Sequence, residues 1–349
     1  MGQTLVALKH RVNKPEPSTS EAVDGAVITA LNEEAVIGAA LGNKGGINLA
    51  VSYEAFAVKM LGALRQEIIF ARHQKELGRG PRWIGVPLIA TSHTWGNGKN
   101  EQSHQDPTLC EALLGEMSDV SRVLFPFDAN TAIEALRRIY SNHAQIGCLV
   151  TPKRAVPTVV TATHTIQCLA QGAAMIAGTP SDTEIQLVTI GAYQLQQALQ
   201  ALTRLEQRGR RGCVTAIVEP GRFRQPRDEI ESRFVLSADD VERLFPARLS
   251  RVIITHTRPE PMIGVLRRID GGPDRTRVLG YRNRGGTLDV EGMLYANGCT
   301  WAHILHTTAK LLATAPQGFL DEEELAAIDG HGDPRVVMTA PRHKQTDGG

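Results

Sequence analysis

Residues 86–107 have the sequence VPLIATSHTWGNGKNEQSHQDP. The first five residues are apolar and typical of a buried strand, and the run that follows is crowded with polar side chains. In α/β sheets the loops at the carboxyl ends of strands form the ligand crevice. We therefore expect His93, Asn100 and His104 to supply hydrogen-bond donors and proton carriers to a site. The alternative is a loop that is held together only by its own hydrogen bonds.

Strand and helix patterns alternate on both sides of this stretch. Short apolar runs predict strands, and apolar residues at helical spacing predict the helices between them, including a helix from about Ser52 to Leu77 and one that Asp128 begins as N-cap. The predicted strands of this half are Ala26–Leu31, Val86–Ala90, Val123–Pro126 and Ile146–Val150. The same alternation resumes after a proline-bearing linker, Pro152–Pro157. The sequence thus predicts an α/β protein in which mainly parallel sheets are flanked by helices.

The length of the chain, 349 residues, suits two domains. We expect a first domain over residues 1–155, a second over residues 156–330 and a mobile tail over residues 331–349, because the end of the chain has no periodicity.

The composition excludes several classes of protein. A hydrophobic fraction of 42%, a charged fraction of 21% and a net charge of +1 are not those of a nucleic-acid-coating or disordered protein. No apolar run approaches the roughly 20 residues of a spanning helix, and the first residues do not have the pattern of a signal peptide, so we expect a cytoplasmic location and no membrane partner. The five cysteines lack the paired spacing of a zinc site, and we expect reduced thiols and no metal ligands on this chain.

Several ordered motifs resemble those of phosphoketolases. The loop pattern Ser92-His93-x-Trp95, then Asn100, then Ser103-His104-Gln105-Asp106-Pro107 resembles the signature loop of that family. Further similar motifs, in the family's order, are Ser52-Tyr53-Glu54-Ala55-Phe56, Pro126-x-Asp128-Ala129-Asn130-Thr131, Cys168-x-x-x-Gly172-Ala173 and Gly280-Tyr281-Arg282-x-x-Gly285. The resemblance covers about Ala26 to Leu312. It implies a transketolase-like fold with a pyrimidine-binding domain followed by the family's C-terminal domain.

The resemblance also implies a thiamine diphosphate site. Glu33, in Leu31-Asn32-Glu33-Glu34, matches the catalytic glutamate that hydrogen-bonds a nitrogen of the aminopyrimidine ring, and Tyr53 and Phe56 match residues that pack about that ring. Glu34 is adjacent, and a register slip would give it the same role. The alternative for Glu33 is a glutamate favoured at a helix start by the helix dipole.

Substrate contacts follow from the same resemblance. His93, Asn97, Asn100 and His104 would contact a sugar phosphate or related ketol, with His104 also catalytic, and Lys153 would bind the substrate phosphate. Asn97 stands where the family has a glutamine that contacts the reacting two-carbon unit. A side chain shorter by one methylene displaces its amide by about an ångström, which puts the dehydrating step of phosphoketolases in doubt.

The family holds the cofactor's diphosphate through Mg²⁺ in a preceding domain that carries a Gly-Asp-Gly motif, and this sequence contains no such motif. We therefore expect the smaller subunit of a split enzyme whose partner subunit holds Mg²⁺, in a heterotetramer of two plus two chains. The alternative is a non-catalytic, phosphoketolase-like scaffold or regulatory protein. An enzyme that acts alone with another nucleophile lacks support, because the sequence has no Gly-x-Ser-x-Gly motif.

Overall fold

A computed structural model describes residues 8–80, 82–91 and 93–342. Two short parallel strands, β1 (His10–Arg11) and β2 (Glu21–Ala22), precede the first main sheet. That sheet has four parallel strands in the order β3-β4-β6-β5, and their bounds are Ala50–Tyr53 (β3), Val86–Thr91 (β4), Ser121–Leu124 (β5) and Ile146–Val150 (β6). The parallel order places the carboxyl ends of all four strands at one edge.

Helices accompany this sheet as the alternating sequence pattern predicts. Their bounds are Glu33–Gly42 (α1), Glu54–Ala57 (α2), Leu61–Glu76 (α3), Thr108–Gly115 (α4) and Ala129–Tyr140 (α5). Asp128 caps α5, since its carboxylate accepts the backbone N–H of Thr131 and the Thr131 hydroxyl accepts the backbone N–H of Asp128. The predicted role of Asp128 as N-cap is therefore confirmed.

The second sheet has five strands in the order β11-β10-β8-β9-β7. Their bounds are Ala173–Ala177 (β7), Ile185–Ile190 (β8), Gly212–Ile217 (β9), Ser250–Thr255 (β10) and Thr276–Leu279 (β11). All pairs are parallel except β7 with β9. The accompanying helices are Ala162–Gln171 (α6), Ala192–Gln207 (α7), Glu229–Ser232 (α8), Ala238–Leu244 (α9), Pro259–Val265 (α10), Val290–Ala296 (α11), Trp301–Leu311 (α12), Glu322–Ile328 (α13) and Arg335–Met338 (α14). The predicted α/β class with mainly parallel sheets is confirmed.

The two sheets share their cores. One hydrophobic cluster joins Trp95 and Leu149 of the first half to Leu187 of the second, and the other joins Leu88 to Val188. A buried ion pair, in which the Arg122 guanidinium donates at 2.6 and 2.8 Å to the Glu219 carboxylate, also links the two halves. The division at residues 155 and 156 thus falls between two sheets but not between two separate cores.

Three local predictions differ from the structure. Residues 26–31 form no strand, only an isolated bridge from Val27 to His10. The single helix predicted from Ser52 is instead the end of β3, the short α2, a 3₁₀ turn over Val58–Met60 and then α3. The expected mobile tail is wrong over residues 331–342, because Val337 is buried and the Trp301 indole N–H donates to the Thr339 carbonyl at 2.8 Å. Residues 343–349 lie outside the described part of the chain.

The five cysteines are free and buried. Within the described ranges, the helices include none that combines the length and the apolar character needed to cross a bilayer.

Candidate active site

The carboxyl edge of the first sheet brings together most of the predicted site residues. β3 ends at Tyr53, and β4 leads into residues 93–106, which we call the substrate loop. Lys153 follows the end of β6, and its ammonium nitrogen lies 5.6 Å from the centre of the Tyr53 ring. The grouping follows from parallel strand order, which aligns the loops at the ends of neighbouring strands.

Glu33 is the first residue of α1 and lies beside this edge. The Asn32 side chain caps the helix by accepting the backbone N–H of Glu34 at 2.8 Å. Glu33 Oε2 is buried, has no hydrogen-bond partner and lies 3.4 Å from the Lys59 ammonium nitrogen. Glu34 is exposed. Of the two adjacent glutamates, Glu33 thus has the partly buried carboxylate with unused hydrogen-bonding capacity.

Aromatic rings continue from Glu33 toward the substrate loop. The Lys59 ammonium lies 5.5 Å from the centre of the Phe56 ring, and the Phe56 and Tyr53 rings are nearly parallel with centres 6.0 Å apart. The His104 ring meets the edge of Phe56 at 4.7 Å. All three rings are half-buried, so they form a partly open aromatic surface on which a planar ring can pack.

Hydrogen bonds within the substrate loop fix its polar side chains. The Asn100 amide donates to Asn97 Oδ1 at 2.9 Å, and the Asn97 amide donates to the His104 carbonyl at 3.4 Å. His104 Nδ1 lies 2.9 Å from the Ser103 hydroxyl. Asn97 is buried and both ends of its amide have partners inside the loop, whereas Asn100 is exposed and His104 half-buried. Of the three loop side chains Asn97, Asn100 and His104, the last two therefore remain accessible.

His93 is not brought together with these residues. Its ring is buried and packs edge-on against His256 at 4.8 Å and Tyr193 at 5.3 Å, both in the second half of the chain. Burial and the neighbouring His256 lower the pKa of His93 to about 3, against the smaller opposing effect of Glu54. A buried ring that packs against Tyr193 and His256 is not open to a substrate, so the expected role of His93 as an accessible proton carrier does not agree with this placement.

The sequence interpretation missed a buried cluster of Glu54, His93 and His256. Glu54 Oε1 lies 2.8 Å from His256 Nε2, and metal-ligand atoms of the three side chains lie within 4.8 Å of one another. The distance between Glu54 and His256 is that of a hydrogen bond, which satisfies both without an ion. Glu54 lies in the quoted Ser52–Phe56 motif, and His256 directly follows the end of β10. The rule about carboxyl ends of strands could have drawn attention to His256.

Comparison with known sequences connects this site to one family. The model of the D-xylulose 5-phosphate/D-fructose 6-phosphate phosphoketolase family matches residues 1–142. A probable phosphoketolase of Bifidobacterium animalis subsp. lactis is 25% identical over 261 residues, which cover 70% of this chain and 30% of that protein. One of Streptomyces avermitilis is 27% identical over 153 residues, 43% of this chain and 19% of that protein. The chain therefore spans about a third or less of the length of these relatives.

Solved structures show the same fold. Transketolase from Leishmania mexicana superimposes with a TM-score of 0.65 at 19% identity, covering 87% of this chain and 40% of that one. A structure described as a split gene transketolase, inactive beta4 tetramer, gives a TM-score of 0.55 at 17% identity, covering 89% of this chain and 96% of that one. The fold is thus transketolase-like. In sequence the chain is similar to phosphoketolases, as its motifs indicate.

Proposed function

We propose that the chain is one subunit of a split, thiamine diphosphate-dependent enzyme of the phosphoketolase and transketolase type. In this proposal the enzyme cleaves a ketose phosphate or related ketol and transfers or releases a two-carbon unit. The observation that carries the proposal is the grouping of Glu33, Tyr53, Phe56 and His104 at the carboxyl edge of a parallel sheet. Function in such sheets lies at this edge.

The residues present fit the aminopyrimidine part of the cofactor. Glu33 Oε2 is a buried atom without a hydrogen-bond partner, and such an atom favours a ligand that supplies one. Tyr53 and Phe56 offer ring faces beside it. Thiamine diphosphate, when bound, would supply the carbon nucleophile and the electron sink that amino-acid side chains do not have. Glu33 would hold a proton at the nitrogen of the aminopyrimidine ring, and the rings of Tyr53 and Phe56 would orient the aminopyrimidine.

Substrate would lie on the accessible side chains of the substrate loop. Asn100 and His104 present polar groups there, and Lys153 brings a positive charge near Tyr53, which suits a substrate phosphate. Asn97 has its amide engaged within the loop, so we assign it to holding Asn100 and His104 and assign no dehydrating role to it.

A partner subunit would complete the site with the diphosphate and Mg²⁺. Leu31 is exposed and lines, together with Glu33 and Lys59, a hollow of about 410 Å³. The large apolar residues that flank α1 in the sequence and are exposed, which we call the apolar rim, are Ile28, Leu31, Ile47, Leu49 and Val51; Ile28, Ile47 and Leu49 line one hollow. A cluster of this kind is typical of a protein interface. We propose that the rim binds the partner, in an assembly of two plus two chains.

Substitution in the apolar rim should prevent assembly. A carboxylate at Leu31 or Ile47 would have to be buried without a partner, and an unpaired buried charge opposes association. We expect Leu31→Asp and Ile47→Asp to weaken binding to a chain that carries the diphosphate-binding domain at least tenfold, as measured by sedimentation velocity. Ile166→Asp, an equally polar change at an exposed isoleucine of α6, is the control and should bind normally. Equal loss in all three variants would contradict the assignment of the rim.

Activity of the assembled protein tests the reaction itself. The chain, a diphosphate-domain chain, Mg²⁺ and thiamine diphosphate are mixed with fructose 6-phosphate or xylulose 5-phosphate, with phosphate or an aldose as acceptor. We expect donor cleavage with transfer of a two-carbon unit, and acetyl phosphate as product would show that dehydration also occurs. Assembly and cofactor binding without cleavage of any ketol would favour the non-catalytic scaffold instead.

A further inference from the structure

The second half of the chain holds the beginning of the substrate loop. Glu54, fully buried at the start of α2, accepts the backbone N–H of Thr94 at 2.7 Å and its hydroxyl at 2.8 Å through Oε2. Its other oxygen contacts His256 Nε2 at 2.8 Å. The Trp95 indole N–H in turn donates to the His256 carbonyl at 2.9 Å. Residues 94 and 95 are thus attached to His256 directly and through Glu54.

The charge of Glu54 explains why this attachment is strong. Burial alone would raise the pKa of Glu54, but the charge and hydrogen bond of His256, with smaller effects of His93 and the Thr94 N–H, lower it to about 2. The carboxylate is therefore ionised at neutral pH. Hydrogen bonds to a buried ionised group are stronger than those between neutral groups.

A second attachment holds the end of the loop. The Tyr281 hydroxyl donates to the Gln105 carbonyl at 2.9 Å, and the Gln105 side chain donates to the Gly286 carbonyl at 3.0 Å. A Cβ atom on Gly285 would lie 1.8 Å from Gln105 Oε1, so a larger residue there would displace the Gln105 side chain from this position. Tyr281 and Gly285 belong to the C-terminal motif Gly280-Tyr281-Arg282-x-x-Gly285, for which the sequence offers no role.

The middle of the loop also touches the second half of the chain. A Cβ atom on Gly98 would lie 1.3 Å from the Leu288 carbonyl oxygen, so the two backbones are in direct contact. Asn100 and His104, the two accessible side chains that we assign to substrate, lie between this contact and Gln105 in the sequence. Their positions depend on anchors on both sides of them.

We propose that the C-terminal domain positions the substrate loop, and that His256 and Tyr281 are its positioning residues. The domain would then act on the active site of its own chain. Only the assignment of Asn100 and His104 to substrate rests on the proposed function; the attachment of the loop does not.

Fluorine NMR of the chain labelled with fluorotryptophan tests the attachment without cofactor, partner or activity. The protein has three tryptophans, Trp83, Trp95 and Trp301, and Trp95→Phe assigns the resonance of the loop. His256→Gln keeps an N–H near Nε2 without a charge, and Tyr281→Phe removes only the hydroxyl. We expect each variant to shift or split the Trp95 resonance by more than its line width.

Glu219→Gln is the matched control, because it weakens a different buried contact between the two halves, the ion pair with Arg122, without touching the loop. Its Trp95 resonance should stay in place. An unmoved resonance in His256→Gln and Tyr281→Phe, or an equal shift in Glu219→Gln, would overturn the proposal. Should His256→Gln fail to fold, Tyr281→Phe alone decides.

Kinetics of the assembled enzyme then connect the loop to substrate. We expect Tyr281→Phe to raise KM for the ketol at least fivefold, with thiamine diphosphate affinity unchanged, since Tyr53, Phe56 and Glu33 do not depend on Gln105. A shifted Trp95 resonance with unchanged KM would limit the role of the loop to structure and overturn the positioning role. Absence of cofactor binding in the assembly of the unsubstituted chain with its partner subunit would count against the proposed function and leave the NMR result standing.

Discussion

Replacing Glu33 with glutamine should lower the rate of ketol cleavage by the assembled enzyme by about 10²–10⁴-fold, the usual contribution of a positioned acid or base. Glutamine fills the same space and still forms hydrogen bonds, but it has no proton to exchange with a ring nitrogen near neutral pH. Glu33 Oε2 has no hydrogen-bond partner, and its ion pair with the largely exposed Lys59 ammonium should contribute at most about 1 kcal/mol, so the change should affect folding little. Initial rates at saturating thiamine diphosphate measure the effect.

Glu34→Gln is the matched control for this experiment. The two glutamates are adjacent, but Glu34 is exposed at the helix start, where it offers only its backbone N–H to the Asn32 cap. We expect activity within twofold of the unsubstituted protein. The opposite pattern, with Glu34→Gln inactive and Glu33→Gln active, would show that the register of the resemblance is displaced by one residue.

Replacing Glu54 with glutamine should cost about 3 kcal/mol of unfolding free energy at neutral pH. The pKa of Glu54 falls from an ordinary value of 4.5 to about 2 in the folded protein, and that difference converts to this free energy. A carboxyl group whose pKa is lower in the folded than in the unfolded protein contributes its full stabilisation at pH values above its pKa in the unfolded protein. This contribution is lost as the pH falls from 4.5 toward 2. The difference between the two proteins should therefore shrink over that range in urea unfolding curves.

Glu229→Gln provides the control for Glu54→Gln, since the same chemical change is made at a carboxylate whose ion pair with Arg233 is exposed. Exposed pairs contribute about 0–1 kcal/mol, so little change is expected. A cost at Glu54 no larger than that at Glu229, or a difference that does not depend on pH between 4.5 and 2, would contradict a buried, ionised Glu54.

Strand and helix alternation was enough to predict the class of fold, because buried parallel strands such as Leu88 to Ala90 read as continuous apolar runs. Prediction from this alternation failed where the local sequence pattern differs from the role of the segment in the tertiary structure. β3 has only four residues, and its sequence Ala-Val-Ser-Tyr runs into a helical pattern, so strand and helix merged into one predicted helix. Val337 belongs to an apolar run of only three residues, 336–338, and its burial depends on contacts that no local pattern contains.

The grouping of Glu33, Tyr53, Phe56 and His104 was implied by ordered motifs. The motifs did not imply that His93 faces inward, because a histidine after a strand can face either the crevice or the core. His256 lies 202 positions from its partner Glu54, and pairing over that separation depends on how the two sheets pack. Sequence reasoning finds residues that share a loop more readily than residues that share a buried charge.

Calorimetric titration of thiamine diphosphate with Mg²⁺ tests the central claim most directly. The cofactor is titrated into the chain alone, and into the chain mixed with a candidate subunit that carries the diphosphate-binding domain. The account predicts binding only in the mixture, weakened or lost with Glu33→Ala and retained with Glu34→Ala. Tight binding to the chain alone, or binding in the mixture that Glu33→Ala does not affect, would contradict a cofactor site shared between two subunits.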